Sequence, residues 1–152
     1  LRAVAAIVNG GKLVTPHFGL YTSSSDGSVV NEFAYSTEEE AISSQTSEMM
    51  KQILEGVVSE GGGTKAYIEG YSIGGKTATS QKLPRGSGKY ISSFIGFAPA
   101  DNPQVIAMCL IDEPTGVYYG GTIAAPVVKT LYENILPYLG IERSVQLEKN
   151  SD

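Results

Sequence analysis

Three extended stretches follow one another at residues 67–81, 90–97 and 104–112, and the connections between them are too short to hold a helix. Leu83-Pro84-Arg85-Gly86-Ser87-Gly88 separates the first two, and Asp101-Asn102-Pro103 lies between the second and third. A parallel crossover needs roughly a dozen residues or more, so these stretches can pair only as antiparallel neighbours. The run from Val105 through Ile106, Ala107, Met108, Cys109, Leu110 and Ile111 is apolar at every position, the pattern of a central strand covered on both faces and not of an edge strand.

Helical patterns flank this sheet. Leu1, Val4, Ala5, Ile7 and Val8 carry helical spacing up to Asn9-Gly10-Gly11, which reads as a helix stopped by a glycine signal whose beginning is expected to lie before Leu1. Residues 12–33 turn extended, with Ser24-Ser25-Asp26-Gly27 as the turn of a hairpin between Phe18-Gly19-Leu20-Tyr21 and Val29-Val30. The stretch from Ser43 to Ser47 offers capping hydroxyls, and Met49, Met50, Ile53, Leu54, Val57 and Val58 then repeat on one helix face until Gly61-Gly62-Gly63. A last helix is expected from near Thr122, with Pro126 in its first turn, ending before Pro137. No repeat or linker divides the chain, so residues 1–141 are expected to form part of one domain and residues 142–152 a polar tail.

Composition narrows the function classes. Of the 152 residues, 41% are hydrophobic and 18% charged, as in ordinary globular proteins, and the net charge of -5 argues against electrostatic capture by nucleic acid. The 105–111 run is far shorter than the roughly 20 residues that span a bilayer. Cys109 has no partner for a disulfide and reads as a small core residue, and His17 reads as a surface histidine. With no second His or Cys, no metal site is expected.

Two motifs compete for one lysine. Gly70-Tyr71-Ser72-Ile73-Gly74-Gly75-Lys76-Thr77 fits the phosphate-binding pattern G-x-x-x-x-G-K-[ST], and the 105–111 run ending in Asp112-Glu113 imitates the strand that supplies a magnesium-binding acid. A phosphate loop needs a helix beginning at its lysine. Pro84, Gly86 and Gly88 follow too soon, and Thr77, Thr79 and Ser80 favour extended backbone, so a nucleotide-binding protein is the remote reading. On a strand, Lys76 shares a face with Ala78 while Thr77 and Thr79 point the other way. Such an edge can hold an anionic peptide end, and the same four residues also fit an ordinary strand with a solvated Lys-Thr pair.

The surrounding residues favour the peptide-binding strand. Lys76-Thr77-Ala78 resembles the K-T-G strand of penicillin-binding proteins. Ala5-Ala6-Ile7, Asn9-Gly10-Gly11-Lys12-Leu13 and Thr15-Pro16-His17 resemble the segment after the S-x-N motif of class B transpeptidases. Val57-Val58-Ser59-Glu60-Gly61 and Tyr67-Ile68-Glu69-Gly70-Tyr71 look like the run-in to the K-T-G strand. Gly96-Phe97-Ala98-Pro99-Ala100-Asp101, Ile111-Asp112-Glu113-Pro114, Tyr119-Gly120-Gly121 and Ala124-Ala125-Pro126-Val127 follow in the family's order. Two departures stand out. Ala78 replaces the family's glycine, and no serine lies three residues before a lysine or two before an asparagine, so neither S-x-x-K nor S-x-N is present.

The resemblance implies the α/β serine transpeptidase fold, an antiparallel five-stranded sheet packed with helices, of which this chain carries three strands and the final helix. It implies a peptidoglycan D,D-transpeptidase that acylates a serine with D-Ala-D-Ala stem peptides and is blocked by β-lactams, with shape or sporulation roles favoured over division. Lys76 would orient a hydroxyl, Thr77, Ala78 and Thr79 would line the substrate site, and the Thr79 N–H would complete an oxyanion hole, without metal or cofactor. The nucleophilic serine is expected before Leu1, so the chain alone is expected to be inactive. The domain is expected at the extracytoplasmic face of a bacterial membrane, anchored by a segment outside this chain. The strand from Gln104 to Asp112 is expected to be the sheet's third, paired along its free side by the complementary N-terminal half or another copy. A non-catalytic β-lactam or peptide sensor is the alternative, with Ala78 as its hint.

Overall fold

A computed structural model describes residues 1–38 and 40–143. They group into two compact units, one of Arg2–Glu48 and one holding Leu1 and everything from Met49 onward. The division between Glu48 and Met49 falls inside the helix Ser44–Ser59.

In the first unit, helix α1 (Arg2–Val8) stops where expected, because Gly10 and Gly11 adopt φ of 84° and 93°, and the Gly11 amide donates back to the Ala6 carbonyl at 3.0 Å. A β-carbon on Gly11 would overlap the Ile42 carbonyl, so that position needs glycine twice over. The fully buried Ser47 hydroxyl accepts the Gly10 amide at 3.0 Å and donates to the Ile7 carbonyl at 2.7 Å, tying the helix end in place. Strand β1 (Leu13–Val14) pairs with β4 (Thr37–Glu38), and β2 (Tyr21–Ser23) pairs with β3 (Val29–Glu32) in the expected hairpin. The Asp26 carboxylate at the turn accepts the Ser28 amide and the Ser24 and Ser28 hydroxyls, and these bonds hold its pKa far below the usual range. His17 is an exposed histidine, stacked on Tyr35 with ring centroids 3.6 Å apart.

Helix α2 (Ser44–Ser59) enters the second unit, followed by a 3-10 turn at Thr64–Ala66. The central sheet has the order β5 (Gly74–Gln81), β6 (Tyr90–Ala98), β7 (Val105–Asp112), antiparallel throughout. The strand order is the one expected, with the Lys76 strand at one edge, but among the described residues β7 is the other edge and not a central strand. Register runs Thr77–Phe94–Cys109 on one face and Lys76–Ile95–Met108 on the other. On the first face Phe94, Ala107, Val128, Tyr132 and Leu136 join Val58, Ala66 and Ile68 in one buried cluster, which packs helix α4 (Ala125–Tyr138) over the sheet. Cys109 is half-buried against this cluster, and burial pushes its thiol pKa up, as suits a core residue.

Two expectations need correction. The first strand does not begin at residue 67. Gly70, at φ 83°, turns the chain so that the Tyr71 amide donates to the Ile68 carbonyl at 3.1 Å, and extended pairing starts only at Gly74. The final helix does not end before Pro137. A short helical turn α3 (Gly120–Ile123) precedes α4, which includes Pro137 and ends at Tyr138. A proline in the last turn forfeits a single hydrogen bond, and Gly140 at φ 71° supplies the actual stop, with the Gly140 amide on the Pro137 carbonyl and that of Ile141 on Leu136. Of the expected polar tail, residues 144–152 lie outside the described residues.

Candidate functional site

Lys76 lies inside β5 with five further strand residues after it, so the helix demanded by a phosphate loop is not there and the nucleotide-binding reading is overturned. The glycines that completed that pattern have another cause. A β-carbon on Gly74 would overlap the Phe97 ring, and one on Gly75 would come within 2.8 Å of the Ile95 carbonyl and into the Phe94 ring. Both glycines exist so that aromatic side chains of β6 can lie flat across the edge strand.

Strand β5 is paired only with β6, so among the described residues its outer edge has no partner strand. Lys76 and Ala78 are exposed on one face, where they oppose Ile95 and Ser93. The Lys76 ammonium donates to the Thr77 carbonyl at 2.7 Å, lying back on its own strand. Thr77 and Thr79 face the opposite side, as the alternation requires, into a cleft of about 300 Å³ bounded also by Lys65, Tyr119, Gly120 and Gly121.

The wall of this cleft opposite β5 is clamped onto the sheet. The buried Ser92 hydroxyl donates to the Tyr118 carbonyl, and the Tyr118 ring stacks on Tyr90 with centroids 4.1 Å apart. Tyr119 leans on Tyr118 at 4.7 Å and is 59% exposed at the rim. The Gly120 N–H donates to Thr79 Oγ1 at 3.1 Å. A β-carbon on Gly120 would overlap the carbonyls of Ser93 and Ala78, and one on Gly121 would overlap the Gly62 carbonyl and crowd the Thr77 methyl at 3.1 Å. The two glycines let a turn of backbone lie directly on the strand that carries Thr77 and Thr79.

The structure therefore brings Thr77 and Thr79 together at one cleft and leaves Lys76 on the far face of the same strand, while Ala78 contributes backbone to the cleft. The sequence reading passed over Lys65, and it named Tyr119 and Gly120 only within the family resemblance, with no role at the site. The usable signal was the pair of glycines after two tyrosines, which has no reason to exist in an unpacked loop.

Where the strands end, Lys82 reaches Glu113 at 2.7 Å and Asp112 at 3.0 Å, and Lys89 reaches Glu113 at 3.0 Å. Glu113 sits at φ 49°, and its amide donates to the Tyr90 carbonyl at 2.9 Å. The hydrogen bonds it accepts from Lys82 and then Lys89 lower its pKa, and those that Lys82 donates to Glu113 and then Asp112 raise that of Lys82. This network ties strand ends and stands apart from the cleft. Among the described residues no group of His, Cys, Asp and Glu could hold a metal ion, and no helix is long and apolar enough to cross a membrane.

The penicillin binding protein transpeptidase domain matches residues 1–133. Stage V sporulation protein D of Bacillus subtilis is 41% identical over 155 residues, an overlap covering 98% of this chain and 24% of that protein. The probable peptidoglycan D,D-transpeptidase PenA of Neisseria flavescens is 37% identical over 115 residues, 72% of this chain and 29% of the relative. Among solved structures, penicillin binding protein 3 of Mycobacterium tuberculosis complexed with ampicillin superposes with a TM-score of 0.78 at 28% identity, covering 94% of this chain and 34% of that one. The D,D-transpeptidase domain of a peptidoglycan glycosyltransferase from Eggerthella lenta gives 0.77 at 27% identity, covering 92% and 31%. The chain thus spans about a quarter of the length of these two curated relatives, and it belongs to the penicillin binding protein transpeptidase domain family.

Proposed function

We propose that the protein to which this chain belongs is a peptidoglycan D,D-transpeptidase and that this chain supplies one wall of its active site. The observation that carries the reading is the open edge of β5, where Lys76-Thr77-Ala78-Thr79 lies extended beside a cleft lined by both threonines. An extended peptide can add to such an edge through main-chain hydrogen bonds, with the threonine hydroxyls receiving its terminal carboxylate.

In this reaction a serine from outside the chain attacks the carbonyl of the penultimate D-Ala. The serine proton is taken up by a base, an acyl-enzyme forms and D-Ala leaves. An amine of a neighbouring stem peptide then attacks the ester, releasing the serine and closing the cross-link. Lys76 supplies positive charge and orients a hydroxyl, Thr77 and Thr79 bind the carboxylate and backbone, and the Thr79 N–H helps hold the oxyanion. β-Lactams acylate the same serine. Support for these partners comes from the family and from the ampicillin complex of the mycobacterial relative.

Residues 1–141 form part of one transpeptidase domain with 142–152 as its tail. The domain works at the extracytoplasmic face of a bacterial membrane, and the free side of β7 is covered by the complementary part of the same protein or by another copy. The similarity to a sporulation protein favours a sporulation role.

Fluorescent penicillin tests the reading. The whole protein should be labelled covalently, and the isolated 152-residue chain should not. Labelling of the isolated chain would show a nucleophile within it. An unlabelled whole protein that still binds penicillin reversibly would favour a non-catalytic sensor, for which the Ala78 methyl on the Lys76 face is the structural hint.

A further inference from the structure

We propose that the backbone amide of Gly120 positions the Thr79 hydroxyl as a hydrogen-bond donor to the substrate's terminal carboxylate, an inference that rests on the transpeptidase reading above. A threonine hydroxyl has one proton to give and two lone pairs to receive with. The Gly120 N–H, at 3.1 Å from Thr79 Oγ1, occupies one lone pair. An N–H can only donate, so the hydroxyl is an acceptor on that side and its own proton must point elsewhere. Among the described residues nothing accepts that proton, and the side chain lines the cleft shared with Thr77 and Lys65. An accepted hydrogen bond also polarises the oxygen and strengthens the bond that the hydroxyl donates.

The amide is held where it is needed. Ser92 anchors the Tyr118 carbonyl, and Tyr118 stacks on Tyr90. Gly120 has no room for a side chain between its amide and the Ser93 and Ala78 carbonyls, so the turn cannot retreat from β5 without breaking its packing. Two independent constraints therefore fix one N–H against one hydroxyl, where a loose loop would leave the threonine free to rotate among its rotamers. The consequence is selectivity for an anionic ligand end, because a proton offered by an oriented hydroxyl favours a carboxylate over an ester.

The test uses the whole protein, with benzylpenicillin and its methyl ester as acylating agents. Replacing Gly120 by glycolic acid through nonsense suppression turns the amide into an ester and removes the N–H without adding an atom to the crowded turn. Acylation by benzylpenicillin should slow by about tenfold, as expected for one lost hydrogen bond acting on a charged partner, while the methyl ester reacts as before. Thr79→Val should weaken the preference for the carboxylate, and Thr79→Ser, which keeps a hydroxyl within reach of the Gly120 amide, should restore it. Equal slowing of both penicillins by the backbone change would mark a structural role only and overturn the proposal. An undiminished carboxylate preference in Thr79→Val would overturn it as well. If the unmodified protein is not acylated by either compound, it is the transpeptidase reading that has failed.

Discussion

The Tyr132 phenol donates to the Gly96 carbonyl at 2.6 Å, and the same oxygen accepts the Ala107 amide at 3.1 Å. One fully buried side chain of α4 thus bonds a carbonyl of β6 and an amide of β7 that face each other across the ladder. Burial pushes its pKa well above the ordinary tyrosine range, so it stays a neutral donor at any pH the fold survives. Gly96 makes the approach possible, since a β-carbon there would meet the Tyr132 ring at 3.3 Å. Tyr132→Phe keeps the ring and removes both of these hydrogen bonds, and it should cost about 1–3 kcal/mol. Urea unfolding measures this, and an unchanged midpoint would show that water replaces the phenol.

Glycines of this chain should respond with opposite signs. Gly56 lies exposed inside α2, and a β-carbon there would meet no atom within 4 Å, so Gly56→Ala should stabilise by about 0.5–1 kcal/mol through helix propensity alone. Gly75→Ala drives a methyl into the Phe94 ring and to 2.8 Å from the Ile95 carbonyl, and should destabilise by about 1–3 kcal/mol. Thermal unfolding of the two variants side by side decides it. Equal shifts in the same direction would mean that the β5–β6 packing adapts more easily than its geometry implies.

What the sequence disclosed, and what it hid, follows from the range of the forces involved. The three strands were legible because Leu83-Pro84 and Asn102-Pro103 punctuate them locally and force antiparallel pairing. The face shared by Lys76 and Ala78 followed from alternation alone. Residues 67–73 misled, because one glycine conformation at Gly70 converts a strand-like composition into a turn. Pro137 misled in the other direction, since a proline near a helix end forfeits little. The cleft itself was hidden. Tyr119, Gly120 and Lys65 reach Thr77 and Thr79 only through the docking of turns distant along the chain, which no local pattern encodes.

The charged cluster at the strand ends predicts a pH dependence of defined sign. Glu113 has a lowered pKa in the folded chain, so its contribution is present above the ordinary carboxylate range and is lost as the pH falls through that range and past the depressed value. Lys82 has a raised pKa, so its contribution is complete below the ordinary lysine range and is lost only as the pH rises through the raised value. Between those limits both are in place. The stability difference between wild type and Glu113→Gln should therefore be visible at neutral pH, vanish in acid, and shrink in high salt because the groups are exposed to solvent. A difference that persists in acid would assign Glu113 a packing role at its φ of 49° instead of an ionic one.

The free side of β7 gives the last prediction. Among the described residues β7 pairs only with β6, although its sequence is apolar at seven consecutive positions from Val105 to Ile111. Met108 is 47% exposed and Leu110 55%, on the face that also carries Lys76 and Ile95. An apolar edge strand presents a row of unpaired N–H and C=O groups together with a sticky surface, which is a template for another strand. The isolated chain should therefore self-associate, and Leu110→Lys should reduce that association, because a charge on an edge strand opposes edge-to-edge pairing. In the whole protein the same substitution should do the opposite of helping, lowering stability by burying a charge where the proposed partner strand and its covering elements lie. Light scattering on the isolated chain and thermal unfolding of the whole protein read the two halves of this prediction. A chain that stays monomeric at every concentration tested, or a whole protein indifferent to Leu110→Lys, would mean that β7 is an edge in the complete fold too.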